Sequence, residues 1–187
     1  MNTYVVLVRG INVGGKNMVP MAKLKECLET LGFSGVSTYI ASGNVILKST
    51  KPATQVKTLI EKALPAHFKL DSELIKVLVL NRDQLQAVID NKPAGFGEQP
   101  EKYHSDAIFL MDIEPAEALA VFSPREGVDK IWPGEGVIYS QRLSALRTKS
   151  RLNKIVGTPA YKSMTIRNWN TTTKLLTLIR GAEATNR

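Results

Sequence analysis

The stretch Arg9-Gly10-Ile11-Asn12-Val13-Gly14-Gly15-Lys16-Asn17 holds the densest set of groups in the chain that could meet a ligand. Its glycines admit positive φ and close backbone approach. Successive peptide N–H groups in such a turn can form a nest for an anion, with Lys16 as a point charge beside it. Arg9, Asn12 and Asn17 add side-chain donors. Gly10, Gly15 and Lys16 formally match the G-x-x-x-x-G-K of a nucleotide-binding loop. Residue 17 is Asn, however, so the hydroxyl that would hold Mg²⁺ is missing. The helical pattern also begins only at Pro20, too late for that motif. The stretch therefore reads as the rim of an anion site and not as a nucleoside-triphosphatase loop.

Two further stretches carry polar groups. Ser42-Gly43-Asn44 is first a tight-turn signal. Ser42 and Asn44 become ligand groups only if that turn lies beside the glycine-rich stretch. Thr165 to Lys174 is predicted to open a helix. Its Arg167, Asn170, Thr171 and Lys174 then share one face at i, i+3, i+4 and i+7, with Asn168 nearby. Trp169, Leu176 and Ile179, with Thr172 or Thr173, fall on the core face. A solvated helix face is the ordinary reading of such a pattern, and the density of Asn and Thr, mediocre helix formers, sets a ligand-contacting role beside it.

The remaining candidates are ordinary. Cys27 belongs to an apolar helix face and is expected in the core. His67 and His104 stand alone and define no metal site. Asp71 with Glu73, and Asp112 with Glu114, read as surface charges and caps. No nucleophile–base pair stands out, so the sequence names no reaction, no metal and no cofactor.

The charge is unevenly placed. The 187 residues carry a net +8, yet residues 1–123 hold 13 basic and 13 acidic side chains. The whole excess lies beyond them, and no acid occurs between Glu135 and Glu183. That interval contains Arg142, Arg147, Lys149, Arg151, Lys154, Lys162, Arg167, Lys174 and Arg180. A one-sign field of this kind concentrates polyanions and phosphorylated ligands. Arg142, Arg147, Lys149, Arg151 and Lys154 are the expected nucleic-acid contacts. Aromatics are sparse there (Tyr139, Tyr161 and Trp169), and no RNP-type strand motif accompanies them.

The elements that must position these groups follow from periodicity. Thr3–Arg9 is a Val/Tyr/Leu strand. Pro20 opens a helix with Met21, Leu24, Leu28 and Leu31 at helical spacing, closed by Gly32. Residues 36–41 and 44–48 form two strands. Residues 53–68 form a helix that Pro65 kinks or ends, and residues 73–80 a fourth strand. This β-α-β-β-α-β order is that of a ferredoxin-like domain. A short helix at 82–91 connects to the loop 92–104, whose two prolines and two glycines mark a domain boundary.

The order then repeats: a strand at 106–111, a helix at 115–122, and strands from Gly127-Val128 and Gly136–Tyr139. Gly35-Val36 through Val45-Ile46 lies over Gly127-Val128 through Val137-Ile138 with four identities and no gap, which suggests duplication. A helical stretch at 150–156 and a last helix from about Thr165 to Arg180 finish the chain, with no counterpart of the fourth strand. The expected class is α+β, two tandem ferredoxin-like halves, the second divergent: 1–91, a linker at 92–104, and a basic half at 105–187.

Three segments together resemble a bacterial family, domain-of-unknown-function family 1697. They are Leu7 through Asn17, Thr38 through Val45, and Thr165 through Thr171. The resemblance implies paired ferredoxin-like α+β subdomains. It carries over no catalytic residue. The positions it implicates are the motif residues Arg9, Asn12, Lys16, Ser42, Asn44, Arg167, Asn168 and Asn170.

No apolar run approaches the ~18 residues of a membrane span. The start of the chain lacks the pattern of a signal peptide. A single cysteine excludes an internal disulfide and fits a reducing cytoplasm. The expected function is binding of a phosphate-bearing ligand, with nucleic acid among the partners considered. The alternatives are an enzyme acting on a small phosphorylated substrate in a cleft between the halves, and a protein-interaction module.

Overall fold

Eight strands and five α-helices build two four-stranded antiparallel sheets in a computed structural model that describes residues 1–71 and 75–185. By contacts the chain divides into two compact units. One is Met1–Gln86 with Leu175–Arg187, the other Ala87–Lys174. Residues 92–104 lie inside the second unit, and the last helix contributes to both.

In the first unit the strands are β1 (Asn2–Val8), β2 (Ser34–Tyr39), β3 (Asn44–Ser49) and β4 (Val77–Leu80), in the order β2-β3-β1-β4. The helices are α1 (Met21–Thr30) between β1 and β2, and α2 (Ala53–His67) between β3 and β4. Period-two alternation puts Tyr4, Val6, Val8, Val45, Leu47, Val77 and Val79 on one sheet face. They pack with Leu24 and Leu28 of α1 and Val56, Ile60 and Leu64 of α2. Pro65 sits inside the last turn of α2, which runs on to His67. β4 is shorter than expected, beginning at Val77. Residues 73 and 74 of the predicted strand, with the Glu73 charge, lie outside the described residues.

The second unit has β5 (Tyr103–Leu110), β6 (Asp129–Gly134), β7 (Val137–Leu143) and β8 (Met164–Asn168), in the order β6-β7-β5-β8. α3 (Arg82–Asp90) precedes it, α4 (Pro115–Leu119) joins β5 to β6, and α5 (Trp169–Ala184) follows β8. The expected lack of a fourth strand is wrong. Met164–Asn168 pairs antiparallel with β5, with Asp106 opposite Asn168 and Ala107 opposite Arg167. The expected helix start at Thr165 is therefore a strand, and the helix begins at Trp169. The predicted helix at 150–156 is also replaced. Residues 144–149, 152–157 and 159–163 form three successive 3-10 turns between β7 and β8.

Ile108, Leu110, Ile138 and Met164 line one face of this sheet and pack with Phe122, Leu152 and Ile155. On the other face Phe96, Trp132, Tyr139 and Trp169 meet edge to face, with centroids 5.0 to 6.2 Å apart. The Tyr139 hydroxyl donates to the Val88 carbonyl, and burial pushes its phenol up to about 12. Gly97 lies against Trp169, whose ring atoms would stand 2.3 Å from any Cβ at that position.

Candidate functional site

The glycine-rich stretch is a small hairpin. β1 ends at Val8, and Gly14 and Gly15, at φ 58° and 74°, form a two-residue turn. The Lys16 N–H donates to the Val13 carbonyl at 3.0 Å, and the Asn12 N–H to the Asn17 carbonyl at 3.1 Å. Two adjacent positive φ values suit the right-handed twist of a hairpin, and glycine adopts them without steric cost.

The asparagines of this hairpin are occupied. Asn12 Nδ2 donates to the carbonyls of Val19 and Ala41, at 2.9 and 2.8 Å, while Oδ1 accepts the Val19 N–H. Asn17 Nδ2 donates to the Gly10 carbonyl, and its Oδ1 accepts the Asp71 N–H. Both side chains thus staple the backbone of the hairpin, Asn12 also tying it to Ala41 and Asn17 to Asp71. Lys16, Gly14 and Gly15 remain exposed at the tip, and Arg9 and Gly10 are half-buried at the base. The Arg9 N–H donates to the Lys76 carbonyl.

The structure brings the Ser42-Gly43-Asn44 turn to this hairpin. The Val8 N–H donates to the Gly43 carbonyl at 2.9 Å, and Asn12 reaches Ala41 as above. A Cβ at Gly43 would stand 2.9 Å from the Val8 carbonyl oxygen, so the close approach requires glycine. Asn44 is fully buried, and its Nδ2 donates to the Tyr39 carbonyl and to Ser42 Oγ. Ile40, a β-branched residue held at φ 48°, lies exposed in the same turn, a conformation such side chains rarely adopt.

The third motif divides between two elements. Arg167 is in β8 and 6% exposed, so it shares no helix face with Asn170, Thr171 and Lys174. Its guanidinium donates to Thr165 Oγ1 and to the Ile166 carbonyl, both at 2.9 Å, and burial lowers its pKa to about 10. Asn168 caps α5, its Oδ1 accepting the Asn170 N–H at 2.9 Å. Trp169, Thr172, Leu176 and Ile179 are buried as expected for the core face, and Lys174 is exposed. Asn168 and Asn170 line a cleft of about 90 Å³ with Tyr103, His104 and Ser144. His104 Nε2 lies 3.0 Å from Asp106 Oδ2. The sequence offered no partner for His104, because the expected strand began at Asp106 and the i, i+2 relation matters only once β5 is known to start at Tyr103.

The basic residues gather on the 3-10 segment. Arg147, Lys149, Arg151, Lys154 and Lys162 are all exposed, and none forms an ion pair among the described residues. A 3-10 turn repeats every three residues. Leu152 and Ile155 accordingly point into the core while Lys154 points out. Asp129 clamps the segment. Its Oδ2 accepts the N–H groups of Arg125 and Arg151, each at 2.9 Å. Burial alone would raise the Asp129 pKa. The Arg151 and Arg125 N–H bonds, the Ser150 hydroxyl and the charge of Arg142 outweigh it and hold the carboxyl below its usual range. Arg142 is half-buried on β7 opposite Asp129, which separates it from the exposed cations.

Among the described residues no group of three or more His, Cys, Asp or Glu could hold a metal ion, and no helix is long and apolar enough to cross a membrane. Cys27 is buried in α1, and burial pushes its thiol up.

No curated protein matches the chain. A solved structure described as a conserved bacterial protein, from Streptococcus pneumoniae, is similar at 28% identity and a TM-score of 0.78. The match covers 95% of this chain and 98% of that one. The model of the family described as "Protein of unknown function (DUF1697)" matches residues 1–139, and the chain belongs to that family.

Proposed function

We propose that the protein binds a phosphate-bearing polyanion through the 3-10 segment of its second unit. The observation that carries this reading is the set of five exposed cations, Arg147, Lys149, Arg151, Lys154 and Lys162, with no ion-pair partner among the described residues. A surface built only for solubility mixes the two signs of charge. The first unit does so, pairing Lys23 with Glu26, Lys25 with Glu29 and Lys57 with Glu61. The second unit concentrates one sign on one connection and clamps that connection with a buried carboxylate. We read both sheets as copies of one ferredoxin-like β-α-β-β-α-β unit, since the strand orders β2-β3-β1-β4 and β6-β7-β5-β8 correspond element by element. In this reading the second copy exchanged a packing helix for a charged strap.

The glycine-rich hairpin is a weaker candidate. Its two asparagines spend their side chains on internal bonds, which leaves Lys16 and the Gly14-Gly15 peptides to meet a ligand.

The test is binding of labelled inorganic polyphosphate at 50 and 200 mM salt. Full-length protein is compared with a variant carrying alanine at the five cations, and with one carrying alanine at Lys23, Lys25 and Lys62. The reading expects salt-sensitive binding, lost only in the first variant. Equal binding by all three proteins, or none at 50 mM salt, overturns it.

A further inference from the structure

We infer that the polyanion is a nucleic-acid duplex held by its phosphates without base recognition, an inference that rests on the polyanion reading above. Single-stranded nucleic acid is gripped by two terms, phosphate contacts and stacking of bases on aromatic side chains. The stacking term supplies about 1–3 kcal/mol per base. The 3-10 segment presents no exposed ring to provide it. Among the described residues every Phe, Tyr and Trp is buried or half-buried. In the second unit Phe96, Trp132, Tyr139 and Trp169 are committed to one another on the sheet face away from Leu152 and Ile155. Tyr161, the one aromatic on the 3-10 segment, is half-buried and packed against the core. What remains is the phosphate term.

That term favours the ligand with the denser charge. A duplex carries one phosphate per ~1.7 Å of its axis, against ~3.4 Å for either strand alone. The cations are closely set to match it. They occupy positions 147, 149, 151 and 154 of one short segment, with Lys162 on the following turn. The segment is held from within by Leu152 and Ile155 and at its middle by Asp129, so the cations are displayed on a fixed backbone. Such binding is insensitive to sequence, because phosphate contacts position a protein without reading bases.

The closing experiment measures anisotropy of a labelled 24-base-pair DNA duplex and of its single strand, at 50 and 200 mM salt, with full-length protein. The duplex is expected to bind at least ten-fold more tightly than the strand. With five phosphate contacts, log K should fall against log salt with a slope of about −4.5, roughly 500-fold over that range. A duplex of scrambled sequence should bind equally. Replacing the five cations by glutamine should abolish binding, with circular dichroism confirming the fold. An Arg147→Glu/Lys149→Glu pair gives a second variant with the same expectation. A strand bound as tightly as the duplex overturns the inference while leaving the polyanion reading in place. Binding to neither DNA, with polyphosphate still bound, also overturns the inference alone. Binding of anionic phosphatidylserine vesicles in place of either DNA assigns the surface to a membrane and overturns it likewise. Failure of polyphosphate as well removes the reading beneath it.

Discussion

The connection from β3 to β4 and the connection from β7 to β8 occupy the same place in their sheets, and they are built on opposite principles. Each leaves an inner strand, crosses the central first strand and returns on the far side. The first is α2, fifteen residues with Val56, Ile60, Ala63 and Leu64 on one buried stripe. Its Lys57 and Glu61 pair at i, i+4, which supports a helix. The second is a chain of three 3-10 turns holding only Leu152 and Ile155 as buried anchors. Here Arg147 and Arg151, and Arg151 and Lys154, would stand as like charges at i, i+4 and i, i+3 of an α-helix, which disfavours it. Ser144, Ser150, Asn153 and Thr158 compete for backbone partners, and Pro159 removes a donor. The difference teaches that a connection across a sheet can be held by a broad apolar stripe or by two apolar anchors and a polar clamp, the second leaving its charges on the surface.

The largest effect should separate the two anchors. Ile60→Ala removes a fully buried branched side chain from the α2 stripe and should cost about 4 kcal/mol. Leu152→Ala removes a less completely buried side chain from a shorter stripe, and should cost about 2 kcal/mol. Urea unfolding followed by circular dichroism measures both. Equal losses would mean that the 3-10 segment is held by packing as firmly as the helix, and the contrast would fall.

Asp129→Ala comes between them. It leaves the N–H groups of Arg125 and Arg151 without their buried acceptor, at a cost of about 3 kcal/mol. The effect should be local. Hydrogen exchange at the Arg151 amide should quicken while the amides of α2 keep their protection. Unchanged exchange at Arg151 would show that the clamp is not what holds the segment.

How far these features were legible depended on the face they occupy. The element order of the first unit was legible because most of its strands are short runs rich in Val, Leu and Ile and its helices carry an apolar stripe, although β4 starts later than expected. β8 was missed because its inward residues include Thr165 and Arg167, which are buried although polar, so no apolar alternation marked the strand. The 3-10 segment was half legible, since its charge showed in the sequence while its turns depended on Asp129, 22 residues from Arg151. Asn12 and Asn17 looked like ligand donors because their acceptors are Ala41 and the loop itself, and the loop's tie to Asp71 spans 54 residues. Side-chain identity was visible at those positions, but the choice of partner was made by the fold.

Acid should reveal the clamp in a second way. The Asp129 carboxyl is held below its usual range in the folded protein. A depressed folded value adds stability that is fully present above the unfolded value near 3.9 and is lost as pH falls through the folded one. The wild type should therefore lose its advantage over Asp129→Asn as pH drops below about 4, with the gap constant between pH 5 and 7. A gap that does not shrink at all between pH 5 and the onset of acid unfolding would mean that the clamp does not depend on the charged form.

The smallest effect is on stability and sharpens the comparison most. Arg147, Lys149 and Lys154 are exposed and make no ion pair among the described residues, so replacing them removes no packing and no partner. Surface substitutions of this kind stay within about 0.5 kcal/mol. Neutralising them should relieve mutual repulsion along the segment, so the change should be stabilising at low salt and vanish at high salt as screening grows. On α2 the expectation reverses in sign: Lys57→Ala breaks the pair with Glu61 and should destabilise by about 0.4 kcal/mol at low salt. Thermal melts of both variants at 20 and 500 mM salt give the comparison directly. Opposite signs at low salt, converging at high salt, are what a segment shaped for display, as against one shaped for packing, must produce.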